Sequence, residues 1–141
     1  QGTLILKAND GYSPYSYTIL ERFASFEDIV AGAIAETLPL SVYNTRMTSA
    51  EGVIYSAWHA TNTVDLQSLT TYESLPSIPL EGFDDWVHGL WAHPATQQLV
   101  LLSAHSEDRL LRFDISTGEQ LSSVPVQYEN YALRGLHCWV Q

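Results

Sequence analysis

Short apolar runs alternate with clusters of Gly, Pro, Asn, Asp and Ser along this chain, the pattern of short strands and tight turns rather than of long helices. The clearest stretch runs Trp86-Val87-His88-Gly89-Leu90-Trp91-Ala92-His93-Pro94, then Leu99-Val100-Leu101-Leu102-Ser103-Ala104. It continues with Arg109-Leu110-Leu111-Arg112-Phe113-Asp114, the turn Ser116-Thr117-Gly118-Glu119, and Val124-Pro125-Val126. That stretch predicts four strands. The same grammar returns about 46 residues away on either side. A four-stranded repeat cannot bury its apolar faces alone and must stack on copies of itself, as propeller blades do.

The other copies are fainter. Val87-His88-Gly89-Leu90 recurs as Leu133-Arg134-Gly135-Leu136, a spacing of 46, and as Val42-Tyr43-Asn44-Thr45, a spacing of 45. Ser103-Ala104 matches Ser56-Ala57 at a spacing of 47, and Lys7-Ala8 more loosely. Val64-Asp65-Leu66-Gln67 takes the place of Leu111-Arg112-Phe113-Asp114. An apolar-Pro-apolar triplet closes two repeats, at Ile78-Pro79-Leu80 and Val124-Pro125-Val126, and Leu38-Pro39-Leu40 is a candidate third. Proline has no N–H for a sheet ladder, so these triplets are expected on edge strands.

The expected organisation is a single all-β domain or propeller segment over residues 1–141, with approximate repeats 2–40, 41–80 and 86–126 and a final strand at 131–140. Val87, Leu90, Leu99, Leu101 and Phe113 are expected in the core, with Leu110 and Arg112 on differing faces. Gly118 is expected at positive φ in a tight turn.

One region departs from the strand pattern. In Ser25-Phe-Glu-Asp-Ile-Val-Ala-Gly-Ala-Ile-Ala-Glu36, Ser25 with Asp28 resembles a helix cap, and Phe26, Ile29, Val30 and Ala33 share a face at helical spacing. A short helix and an ordinary strand both fit. Upstream, Asn9-Asp10-Gly11 and Ser13-Pro14 mark a turn.

The stretch from Trp86 to Leu121 resembles a WD40-type repeat. Trp-Val-x-Gly-Leu-x-x-x-Pro, Leu-x-Leu-x-Ser and Leu-Leu-Arg-Phe-Asp-x-x-Thr-Gly-Glu follow that family's order, with Phe113-Asp114 where it places Trp-Asp. The resemblance implies about three four-stranded propeller-like blades, part of a larger or oligomeric propeller, because the family typically closes with seven. Gly2-Thr3-Leu4-Ile5-Leu6 looks like the second strand of a blade, and Tyr131 to Val140 like the first strand of the next. The chain starts at Gln1 without Met, which reads as a processed or cut end. The expected partners therefore include other blades, from a second copy or another chain, and Leu4 and Leu136 are expected in one mixed blade. The alternative fold is a β-trefoil, which also has three four-stranded repeats at this length.

Charge narrows the partners. Sixteen acids stand against one lysine and five arginines, for a formal net charge of −10. Nucleic-acid binding needs clustered cations, which this chain lacks, so no nucleic-acid partner is expected. No apolar run reaches the length of a membrane-spanning helix, and acidic membranes are disfavoured by charge, so no membrane partner is expected. The lone Cys138 rules out an internal disulfide framework or a multi-cysteine zinc site.

The chemistry is sparse. There is no phosphate loop, serine elbow or HExxH pattern, and no cofactor or catalytic residue is assigned. His59, His105 and His137 read as structural, as do His88 and His93, which at five apart on a strand point to opposite faces. Asp84-Asp85 reads as a turn cap or a cation site. Trp58, Trp91 and Trp139 read as packing residues. The positions that change chemistry while their neighbours stay apolar are Tyr43, His88 and Arg134, each following the residue that starts an innermost strand. By the resemblance this place lies near the mouth of a central channel and touches partners, which makes these three the expected binding residues. The function expected is a non-catalytic scaffold binding a protein or peptide. The alternatives are a lactonase-type propeller hydrolase with a channel metal near Asn44, Asp85 and His88, and a sugar-binding lectin.

Overall fold

The structure, a computed structural model, describes residues 4–9, 18–33, 36–38, 46–57, 62–104 and 108–126. The protein is all-β, with three antiparallel sheets, and divides into two compact units, Gln1–Tyr43 and Asn44–Gln141.

The first unit holds one sheet. Strands β1 (Leu4–Asn9), β2 (Thr18–Phe23) and β3 (Glu36–Leu38) lie in chain order. A short helix α1, Phe26–Val30, connects β2 to β3. Its start was legible: the Ser25 hydroxyl accepts the Asp28 N–H at 3.1 Å, and Glu27 and Asp28 sit where the helix dipole favours acids. The apolar face expected of this helix is not a core, since Phe26 and Val30 are exposed. An Arg22–Glu36 ion pair joins residues that face each other in the β2–β3 register.

The second unit holds two four-stranded meanders. The second sheet is β4 (Arg46–Ala50), β5 (Val53–Ala57), β6 (Thr63–Ser68) and β7 (Ser74–Pro79). The third is β8 (Val87–His93), β9 (Gln98–Ala104), β10 (Asp108–Asp114) and β11 (Gln120–Pro125). Their first strands, β4 and β8, lie side by side. One core fills the space between the sheets. Tyr55, Ala57, Val64 and Ile78 from the second meet Val87, Leu90, Leu99, Leu101, Leu111 and Phe113 from the third. The five expected core residues are all buried. Leu110 and Arg112 do not lie on differing faces: two positions apart on a regularly paired strand, they share the face opposite Leu111 and Phe113.

The ends of the outer strands and the last hairpins of the two meanders match at a spacing of 46. Leu80 N–H donates to Asn62 O as Val126 N–H does to Asp108 O, both at 2.7 Å. This places Pro79 and Pro125 at the intervening positions of the outer strands β7 and β11, where the backbone nitrogen faces the open edge and a missing N–H costs nothing. The last hairpins match as well. Ser68 Oγ accepts from the N–H groups of Thr70 and Thr71, and Asp114 Oδ1 from those of Ser116 and Thr117. Tyr72 and Gly118 then both take positive φ, 59° and 76°. Leu69 N–H and Ile115 N–H reach back to Gly52 O and Gln97 O.

This register corrects three of the sequence alignments. Val64-Asp65-Leu66-Gln67 corresponds to Leu110-Leu111-Arg112-Phe113, one residue from the expected match, and a one-residue slip exchanges the faces of a strand. Gln67, not Leu66, stands in the place of Phe113. Ser56 corresponds to Leu101 rather than Ser103. On the first strands Ala50↔Val53 matches His93↔Gln98, because the β4–β5 loop is two residues, Glu51-Gly52, where β8–β9 uses Pro94 to Gln97. That shortens the spacing from 45 to 43 and equates Arg46 with Gly89; Tyr43 lies outside the described residues. The final strand at 131–140, and with it the pairing of Leu136, lies outside the described residues.

Candidate functional site

The start of β8 gathers the groups with most chemical character. The chain enters it through a turn at Gly82, whose φ of 72° only glycine adopts without cost. Asp85 fixes the end of that turn. Its Oδ1 accepts the Trp86 N–H at 2.7 Å, and its Oδ2 accepts the hydroxyl of the buried Ser103 near the end of β9. Both carboxylate oxygens are thus engaged in holding the turn on the sheet, which makes Asp85 the turn cap expected from the sequence. Trp86 is left exposed immediately before the strand.

His88 follows at a β-bulge. Val87 pairs with Ser103 and Gly89 with Leu102, so His88 is the extra residue. A bulge breaks simple alternation and re-aims a side chain. It puts Val87 on the core face together with Leu90, three positions on, and brings the His88 ring parallel to the Trp86 indole, with centroids 6.5 Å apart and planes at 12°. The His88 carbonyl accepts the Arg46 guanidinium at 2.6 Å from Nε. Arg46 begins β4, so one charge-assisted hydrogen bond ties the entrances of both first strands together.

His93 stands at the far end of β8, beside Trp91 with ring centroids 5.2 Å apart, and its Nδ1 is 2.6 Å from Thr96 Oγ1. Among the described residues no group of three His, Cys, Asp or Glu is placed to hold a metal ion, and no helix is long and apolar enough to cross a membrane. Of the three expected binding residues the structure describes His88. Tyr43 and Arg134 lie outside the described residues, as do Asn44, Trp58, Trp139, His59, His105 and His137.

Two members of the cluster escaped the sequence reading. Trp86 was absorbed into the strand, although the Asp-Asp before it signals a turn. Arg46 was hidden by the 45-residue alignment. The Glu51-Gly52 turn just after it marks the end of β4 and was the signal that would have placed it on a first strand.

Elsewhere, the hydrogen bonds Asp114 accepts hold its carboxyl below the usual carboxylate range, the Ser116 hydroxyl contributing most and the Thr117 N–H next. Burial, and secondarily the charge of Glu51, pushes the Tyr55 phenol up.

No family model matches the chain, and no curated protein matches it. Among solved structures, it is similar to a computationally designed protein, Ika8, at 18% identity and a TM-score of 0.49 over 87% of this chain. The chain spans 33% of that design's length.

Proposed function

We propose that the protein is a WD40-type propeller module, without catalysis, that presents the entrances of β4 and β8 to a protein or peptide partner. The observation that carries the site is the Trp86–His88 pair, an exposed indole over an imidazole. Asp85, Ser103 and Arg46 anchor it to two sheets. Rigidly held aromatics of this kind anchor protein interfaces because they bring large area at little entropy cost. The formal charge of −10 favours a neutral or basic segment as the partner.

Three features support blades. Strand pairing stays within each meander among the described residues, whereas a trefoil barrel needs strands of different repeats to pair. First strands lie side by side while the proline-bearing strands are outermost. Both faces of each meander carry buried residues: Ile54 and Gln67 on one side of the second sheet and Tyr55 on the other, Val100 and Leu102 opposite Leu99 and Leu101 in the third.

The test is selection of peptides from a random display library on the intact protein, followed by calorimetry on Trp86→Ala and His88→Ala. Selected peptides are expected to lose about 1 kcal/mol or more with each variant, while the melting temperature stays near wild type. Peptides that bind both variants as tightly as wild type would place the site elsewhere.

A further inference from the structure

The connection from β7 to β8, Leu80-Glu81-Gly82-Phe83-Asp84-Asp85-Trp86, is fastened along its whole length. Leu80 N–H donates to Asn62 O at 2.7 Å, Glu81 N–H to Gly118 O at 3.0 Å and Phe83 N–H to Leu80 O at 3.3 Å. Phe83 is buried edge-on against Phe113, with ring centroids 6.1 Å apart and planes at 84°. Asp85 fixes the far end through the Trp86 N–H and the Ser103 hydroxyl. Leu80 and Phe83 are thus buried, while Glu81, Asp84 and Trp86 are exposed.

The exposed groups share one chemical preference. The Trp86 indole is 44% exposed and carries the electron-rich ring face that attracts cations. Glu81 and Asp84 are carboxylates on the same connection, and neither forms an ion pair among the described residues. The cation at this entrance, Arg46, donates to the His88 carbonyl. An indole and two carboxylates on one rigid support select a cationic side chain, and they select arginine over lysine. A guanidinium lies flat on a ring and keeps edge N–H donors for carboxylates, whereas an ammonium has no plane and is more strongly hydrated. An acidic segment is repelled here, as it is by the formal charge of −10.

We infer that Trp86 forms an arginine subsite: the partner segment lays an arginine guanidinium on the indole, and Asp84 and Glu81 hold its charge. The inference rests on the reading of Trp86 and His88 as the anchor of a binding module, and it names the side chain that the anchor receives. Because the connection is already fixed, little ordering cost remains to be met on binding.

The experiment is heteronuclear NMR of the tryptophan indole N–H signals of the full chain, with Trp86 assigned by the signal lost in Trp86→Phe. The probes are the peptide acetyl-Gly-Gly-Arg-Gly-Gly-amide and its versions with lysine, citrulline or leucine in place of arginine. Citrulline keeps the shape of arginine without its charge. The arginine peptide is expected to shift the Trp86 signal with a dissociation constant on the order of millimolar, and the citrulline and leucine peptides to bind about tenfold more weakly. The lysine peptide is expected to fall between them. Asp84→Asn and Glu81→Gln, at exposed positions, are expected to keep the wild-type melting temperature and to weaken arginine binding about two- to fivefold each. No shift with the arginine peptide, an equal shift with the citrulline or leucine peptide, or indifference to both acid variants would each overturn the subsite. The display selection separates the two readings. Selected peptides that need Trp86 but bind equally well with every arginine replaced by citrulline overturn the subsite and leave the binding module standing. Selected peptides that bind Trp86→Ala and His88→Ala as tightly as wild type overturn both.

Discussion

Replacing Gly118 by alanine tests the repeat geometry at its most constrained point. The residue sits at φ 76°, which for an L side chain costs about 1–2 kcal/mol. A Cβ there would stand 2.8 Å from the Pro79 carbonyl carbon and closer still to its oxygen. Both are backbone atoms of β7 and cannot swing aside, so the hairpin must lift. Lifting breaks the hydrogen bond from Glu81 N–H to Gly118 O, worth about 1 kcal/mol. It also uncovers part of Ile78, whose full burial is worth about 1.5–3 kcal/mol. The sum is a loss of about 3–5 kcal/mol, a large share of the roughly 5–15 kcal/mol that a domain has. Gly118→Val is expected to lose at least as much. Gly52 supplies the control. Its φ is 78° but nothing lies within 4 Å of a Cβ there, so Gly52→Ala is expected to lose only the conformational part, about 1–2 kcal/mol. Urea denaturation of the three proteins measures the difference. If Gly118→Ala and Gly52→Ala lose the same amount, the close approach of the third sheet's hairpin to β7 is wrong.

Three further outcomes follow from the same packing. Leu101→Ala, at a fully buried site, is expected to lose about 2–5 kcal/mol by denaturant titration, and a loss near zero would contradict the core. Tyr72→Gly, at the counterpart of Gly118, is expected to change stability by about 1 kcal/mol or less, since relief of positive φ offsets the half-buried ring; a loss as large as that of Gly118→Ala would deny the equivalence. The Asp114 carboxyl is depressed in the folded protein, so its stabilising effect is present above the ordinary carboxylate range and fades as pH falls through the folded value. Asp114→Asn is therefore expected to be less stable than wild type at pH 7, with the gap starting to close only as pH falls below the ordinary carboxylate value of about 4; a constant gap in thermal melts down to the acid limit of folding would refute the assignment.

Much of the third sheet was legible because its signals agree with one another. Alternating apolar residues set β9 and β10, the Asp-x-x-Thr-Gly-Glu run forms the hairpin as expected, and the two prolines fall on outer strands. The second sheet was legible as strands but not in register. Its hairpin uses Ser68 and Tyr72 where the third uses Asp114 and Gly118, so the same hydrogen bonds are written in residues that do not look alike. Gln67 is buried in the place of Phe113 and donates from its amide nitrogen to Tyr72 O at 2.8 Å, a substitution that hides the strand's parity from a hydrophobic count. At the candidate site His88 was singled out from its place in the repeat. Its bulge and its link to Arg46 depend on loop lengths and long-range pairing, which no local pattern encodes.

The positions of Pro79 and Pro125 also bear on how such a chain behaves while its neighbours are absent. A meander with a bare outer strand invites another strand to zip alongside it, and the product grows without limit in the direction of its hydrogen bonds. At both outer edges the nitrogen that would start such a bond carries no hydrogen. Lateral growth is thereby frustrated at the two sites where it is easiest, during synthesis or after transient opening. Face-to-face stacking needs no backbone donor and is left untouched. The same two residues that close each repeat thus bias the chain away from fibril-like pairing and toward discrete assemblies.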